Sequence, residues 1–216
     1  MKLKMLASAA VGLAAALTLS APAQAATRVL DFTGACGGAA FCSIGQGYGD
    51  DATVNVSYRT VDGTTGAALG DLHFASAGYG DLDGAAFGAD GEDAYAEIMF
   101  EAANGFELSL RSFDFAGLAA RTRATFELYS SNGDLLGAIG YRTPAGHGTA
   151  AFDDNYRGAV IMRWKPSADV AVDNITFDVR ALASAVPEPA SWALMIAGFG
   201  LVGSTIRRSR AALALA

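Results

Sequence analysis

Short runs in which apolar and polar residues alternate strictly constrain this chain more than any other feature. In Thr53-Val54-Asn55-Val56-Ser57-Tyr58-Arg59 the even positions are apolar and the odd positions polar. A β-strand sends successive side chains to opposite sides, so such a run buries one face and wets the other. The pattern returns in Ala96-Glu97-Ile98-Met99-Phe100-Glu101, which turns Ile98 and Phe100 inward, and in Phe106-Glu107-Leu108-Ser109-Leu110-Arg111. Thr125-Phe126-Glu127-Leu128 and Ile175-Thr176-Phe177-Asp178-Val179 repeat it. Val160, Met162 and Trp164 share one face against Ile161, Arg163 and Lys165. Residues 27–32, 69–74 and 135–143 are further candidates, which makes nine strands.

Turn signals separate these runs: Asp62-Gly63, Asp83-Gly84, Asp90-Gly91, Asn104-Gly105 and Asn132-Gly133-Asp134. Asn132-Gly133, between two apolar strands, is the clearest hairpin signal. Residues 45–49 and 78–91 read as glycine-rich loops. No capped amphipathic helix of ordinary length interrupts the strands. Many short strands with regular turns imply an all-β fold, an antiparallel β-sandwich of jelly-roll-like form. No internal repeat is present, which argues against a propeller or solenoid.

The two ends have a different character. Lys2 and Lys4 precede an apolar stretch from Met5 to Leu19, and Ala23-Gln24-Ala25 offers small residues at a cleavage position. Residues 1–25 therefore read as a secretory signal peptide and its helix; the small-residue site and short apolar core disfavour a permanent N-terminal anchor. At the other end, Pro187-Glu188-Pro189 is followed by an uncharged run from Trp192 to Ile206 and then by Arg207, Arg208 and Arg210. The prolines fix their own φ and lack amide donors, so they end the last strand. The 15-residue run spans ~22 Å as a helix, short against a hydrocarbon core of ~30 Å. It reads as a single transmembrane helix whose arginines snorkel toward the head groups and favour a cytoplasmic C-terminal end.

Between the ends, residues 26–185 form one β-sandwich domain, and 186–210 the sorting and anchor segment. Charge is informative once the ends are set aside. Five of the 15 basic residues lie in them, so 10 basic face 22 acidic residues with Glu188 retained, a balance of −12. Such a domain repels phosphate backbones, which makes nucleic acid a poor partner. Cys36 and Cys42, in Cys-Gly-Gly-Ala-Ala-Phe-Cys, suit a small-loop disulfide in an oxidising compartment. A two-cysteine metal site needs further ligands, and His73 and His147 are the chain's two histidines.

The tail resembles the PEP-CTERM sorting signal in its PEPxxWA form. The matching residues are Pro187, Glu188, Pro189, Trp192 and Ala193, then the apolar segment, then the basic stop at Arg207, Arg208 and Arg210. The resemblance covers about 25 residues and implies recognition by an exosortase-type enzyme. It implies an inner-membrane-anchored precursor, cleavage near Pro-Glu-Pro, and delivery to the cell surface or exopolysaccharide matrix.

No stretch states a catalytic chemistry. Neither histidine is tied to a serine by a nucleophile motif. Glu97, Glu101, Glu107 and Glu127 fall on the polar faces of strands and read as solvated sheet surface rather than a glycosidase pair. Asp81, Asp83 and Asp90 lie with Glu92 and Asp93 in a glycine-rich stretch of 13 residues, five carboxylates that suit calcium or stand as solvated loop charge. The run Val172-Asp173-Asn174-Ile175-Thr176-Phe177 resembles the closing strand of jelly-roll carbohydrate-binding modules. That resemblance implies a structural calcium held by Asp173 and Asp31; the alternative is a turn at Asp173-Asn174. Tyr48, Tyr79, Phe87, Tyr141 and Tyr156 lie in or near loops and are candidates for stacking on sugar rings, or ordinary surface residues. Phe113, Phe115, Phe126 and Trp164 belong to the core. The expectation is an exported, non-enzymatic protein that binds or scaffolds polysaccharide; the alternatives are an adhesive matrix protein without a defined ligand, or a secreted glycan hydrolase. Deleting residues 187–216 is expected to shift the protein from the cell-bound to the soluble fraction. Unchanged cell-bound retention on fractionation contradicts the role given to the tail.

Overall fold

The computed structural model describes residues 25–152, 159–182 and 192–203. Ala23–Leu182 forms one compact unit, and the helix at 192–203 belongs to a second. The strands are β1 (Ala26–Leu30), β2 (Phe41–Ser43), β3 (Val54–Asp62), β4 (Ala68–Gly70), β5 (His73–Ala75), β6 (Ala85–Phe87) and β7 (Ala94–Ala102). They continue with β8 (Phe106–Gly117), β9 (Arg123–Ser130), β10 (Leu135–Arg142), β11 (Gly148–Ala151), β12 (Ala159–Lys165) and β13 (Val170–Ala181).

The strands form an all-β antiparallel sandwich. One sheet, A, runs β11-β8-β13-β6-β5-β2, with β1 also paired to β13; the other, B, runs β10-β9-β12-β7-β3-β4. The alternating runs do what their period requires. Val54, Val56 and Tyr58 of β3, Ile98 and Phe100 of β7, and Met162 and Trp164 of β12 are buried in one core with Leu108, Leu110, Phe113 and Phe115 of β8. Trp164 is wholly covered, and its indole N–H donates to the Val170 carbonyl at 2.8 Å, which satisfies the one polar atom it brings inside. The Asn132-Gly133 hairpin joins β9 to β10, with Gly133 at φ +81°.

The outline is more finely divided than nine strands. The run 69–74 is two short strands, β4 and β5, which belong to different sheets. The stretch 78–91, read as loop, contains β6, and residues ahead of it fold back over sheet A. There Tyr79 and Leu82 pack on Ala85, Ala116 and Ala171, a second small apolar cluster. Residues 45–51 sheathe part of the edge of β3: the Gln46 side chain donates to the Tyr58 carbonyl (2.6 Å) and accepts from its amide (3.1 Å). A side-chain amide thus replaces a neighbouring strand and leaves no bare edge there.

Residues 1–24 of the expected signal peptide, and with them the predicted signal helix, lie outside the described residues. Residues 192–203 are helical and include Trp192 and Ala193. Among the described residues no helix is long and apolar enough to cross a membrane. The basic stop at Arg207, Arg208 and Arg210 lies outside them, as do Pro187, Glu188 and Pro189.

Candidate functional site

Two solvent-facing surfaces of the sandwich are built with unusual order. The first is on the outer face of sheet A at its free edge. Ser43 pairs with His73 and His73 with Phe87, while Phe41 stands opposite Ala75, so Phe41, His73 and Phe87 all point away from the core. The Phe41 and His73 rings stack with centroids 5.4 Å apart and planes at 19°, and Phe87 lies 5.9 Å from Phe41 and 5.7 Å from His73. Phe41 nevertheless remains 60% exposed, so most of its ring faces water. Its strand is three residues long and is held by a covalent clamp. Cys36 and Cys42 are joined in a disulfide across a turn in which Gly37 and Gly38 take positive φ. Ser43 Oγ lies 3.5 Å from His73 Nδ1, placing two polar groups beside the rings.

The second surface is the outer face of sheet B. Across four adjacent strands the register sets Glu127, Arg163, Glu97 and Arg59 side by side. Both guanidiniums bond the Glu97 carboxylate, one to each oxygen. They cover it so completely that Glu97 is fully buried, although it lies on the outward face of its strand. Glu97 is therefore not the solvated surface residue expected from the alternation. Burial disfavours the charge on Arg163, and the bond and charge of Glu97 outweigh it and raise its pKa. Arg163 also sits over the Tyr129 ring at 4.8 Å, and Lys165 over the Tyr95 ring at 4.7 Å. The Tyr129 hydroxyl donates to Glu127 at 2.7 Å.

Of the five aspartates read as calcium ligands, Asp31, Asp81 and Asp173 bond to groups of the protein itself. Among the described residues no group of three or more His, Cys, Asp or Glu side chains is arranged to hold a metal ion. Asp81 bonds His147 Nδ1 at 2.7 Å, which lowers its own pKa and raises that of His147; neither Asp83 nor Asp90 joins it. Asp31 accepts from the amide of Thr33 at 2.7 Å and from its hydroxyl, the bonds of a local turn. Asp173 is buried at the point where β13 changes partners, from β6 near its start to β1 along its second half. The strand bulges there, with Asn174 at φ +50°, and the Asp173 carboxylate accepts from the Phe32 amide at 3.1 Å. It thereby supplies an acceptor where the ladder is interrupted.

The tyrosines proposed to stack on sugars are mostly committed to the fold. Tyr79 is buried and its hydroxyl donates to the Ala168 carbonyl at 2.5 Å, so its ring is not open to a ligand. Tyr48 donates to the Asp31 carbonyl at 2.6 Å and stacks on Phe32, and Tyr141 packs 4.9 Å from Phe115. Tyr156 lies outside the described residues. Phe41, Tyr95 and Tyr129 were not among the sequence candidates; an apolar ring next to a disulfide cysteine was the available signal for Phe41.

Residues 185–211 match the family model for the PEP-CTERM protein-sorting motif. The chain carries a PEP-CTERM sorting signal. The motif marks an exported protein with a membrane-anchored C-terminal precursor and a substrate of exosortase-type processing. No curated protein matches the PEP-CTERM chain. Among solved structures, a mutant family 29 carbohydrate-binding module is 11% identical with TM-score 0.35, covering 77% of this chain and 99% of that one. A DUF4465 family protein from Bacteroides caccae is 12% identical with TM-score 0.37, covering 77% and 97%. A family 11 carbohydrate-binding module from Clostridium thermocellum is 17% identical with TM-score 0.29, covering 73% and 96%. At scores of this size the likenesses contribute nothing to the assignments below, which stand on this chain's own residues.

Asp173 makes a measurable prediction. Burial, chiefly, pushes its pKa up to about 6; the Phe32 and Asn174 amides oppose the rise, and Asp31 and Asp114 add to it. The native state thus holds this proton more tightly than the unfolded chain, so stability falls as pH rises from the ordinary carboxylate value through about 6. Asp173→Asn keeps an acceptor for the Phe32 amide and removes the charge. At pH 7.5 the variant is expected to be the more stable by an amount on the order of 2 kcal/mol, with the advantage gone near pH 4. Thermal melts across that range check it, and an offset independent of pH contradicts it.

Proposed function

We propose that this protein is a non-enzymatic component of the cell surface or exopolysaccharide matrix, sorted there by an exosortase-type system. Its sandwich, assigned here to residues 26–185, binds or scaffolds polysaccharide through the Phe41–His73–Phe87 platform. The observation that carries this reading is the exposed ring of Phe41, stacked on His73 and fixed beside a disulfide. Apolar ring faces with adjacent hydrogen-bonding groups suit the two sides of a pyranose: C–H surface against the ring, hydroxyls toward Ser43 and His73. The rings are held before any ligand arrives, so little side-chain freedom is lost on binding. Export to a polysaccharide-rich surface supplies the ligand class.

The carboxylates favour binding over hydrolysis. A glycosidase needs an available pair facing each other across a cleft. Here Glu97 is clasped by two arginines, Asp81 is bonded to His147, and Asp114 accepts from Thr149 at 2.6 Å and from Asn174 at 3.0 Å.

The full chain in neutral detergent is expected to be retarded on native gels cast with the producing cells' exopolysaccharide. Phe41→Ala should weaken that retardation about tenfold, since one stacking ring contributes roughly 1–2 kcal/mol, with its melting temperature little changed. Equal retardation of the variant contradicts the platform. No retardation of the wild type on this polymer or on any member of a glycan array contradicts the binding function itself.

A further inference from the structure

The outer face of sheet B holds a concentration of positive charge that the rest of the domain lacks. Ten basic residues lie between positions 26 and 185, and five of them, Arg59, Arg123, Arg142, Arg163 and Lys165, project from this face. Arg123 and Arg142 stand directly opposite one another on β9 and β10. Both are exposed, and neither has an ion-pair partner among the described residues. On β12, the strand next to β9, Lys165 lies over Tyr95 and pairs in register with Thr125, one outward position along β9 from Arg123. Of the acidic side chains on the face, Glu101 is exposed at the end of β7, and the other two are held by neighbours. Glu97 is enclosed by two guanidiniums, and Glu127 accepts from the Tyr129 hydroxyl. By contrast, Arg28, Arg111 and Arg180 on other surfaces are each paired with a carboxylate, of Asp51, Asp178 and Glu107.

We infer that this face is a second binding site, for a carboxylate-bearing polysaccharide such as a polyuronate. Arg123 and Arg142 are its free anchors and the Arg163–Glu97–Arg59 row its rigid floor. Guanidinium forks match carboxylates bidentately. The buried Glu97 fixes Arg59 and Arg163 flat on the sheet, leaving their outer N–H groups directed at hydroxyls or carboxylates lying across the strands. The overall balance of −12, counted with Glu188, does not forbid this. Charges more than ~8 Å away are screened at physiological salt, so the local face decides contact. A duplex nucleic acid, with a charge every ~1.7 Å, is repelled far more strongly by the acidic remainder than a chain with one carboxylate per sugar. The site is separate from the Phe41 platform, on the other sheet.

The test uses the full chain in neutral detergent, so that the tail arginines are common to every sample, with polygalacturonate and its carboxyl-reduced, neutral derivative as probes. Wild-type protein is expected to bind polygalacturonate with an affinity that falls steeply between 50 and 200 mM salt, ~10-fold or more, and to bind the reduced polymer at least tenfold more weakly. Arg123→Ser/Arg142→Ser, a change of two exposed side chains, should lose about tenfold on polygalacturonate. Phe41→Ala should keep the wild-type salt dependence and the wild-type preference for polygalacturonate over the reduced polymer. The inference is overturned if the double variant binds as wild type does, or if the neutral polymer binds equally well. It is also overturned by tighter binding to duplex DNA or dextran sulfate, or by sedimentation showing the face occupied by a second copy of the chain. Loss of binding with Phe41→Ala but not with the double variant returns all glycan contact to sheet A and also overturns it.

Discussion

Aromatic pairs that cross the gap between the sheets hold this structure together. Phe113 of β8 meets Phe126 of β9 with ring centroids 4.6 Å apart, and Phe100 of β7 meets Phe177 of β13 at 5.1 Å. Such rings bury large apolar areas, and their tilted contacts add roughly 0.5–1.5 kcal/mol each beyond burial. With the inner faces filled in this way, every second residue of each long strand is released from packing. The two outer faces are then free to diverge, and they do: rings at the edge of sheet A, cations and carboxylates across sheet B.

Both outer faces share a device, in which a costly group is made rigid by its neighbours. Phe41 is exposed on a strand of three residues, the shortest length found here, and the Cys36–Cys42 bond holds that strand in place. Glu97 is a carboxylate without solvent, and two arginines turn it into a cross-strand tie. Asp173 is a third instance, serving the fold alone: it bridges the break where β13 exchanges β6 for β1. A buried charge removed from its partners costs several kcal/mol, so the sheet-B row is held as a unit rather than as separate surface pairs.

The long strands were legible because their alternation is a local signal. Val54, Val56, Tyr58, Ile98, Phe100, Met162 and Trp164 are all inside, as the period of two requires. The short strands β2 and β6 were not, since three residues carry no period. Nor was the fate of Glu97. Alternation put it on the outer face, but only the register among β3, β7 and β12 brings Arg59 and Arg163 over it. The loop tyrosines misled for a related reason: Tyr79 and Tyr48 bond backbone carbonyls distant in sequence, at Ala168 and Asp31, and sequence does not show those pairings. The sorting tail was readable because its breaker, apolar run and basic stop are contiguous, and the family match covers 185–211.

The central claim is that glycan is engaged by the ring platform on sheet A. Amide chemical-shift mapping of the full chain in detergent, titrated with an oligosaccharide cut from the cells' exopolysaccharide, tests it most directly. Shifts clustered at residues 41–43, 73–75 and 85–87 are the expected result. Shifts confined to other parts of the sandwich, with those nine residues unmoved at saturating ligand, would contradict it.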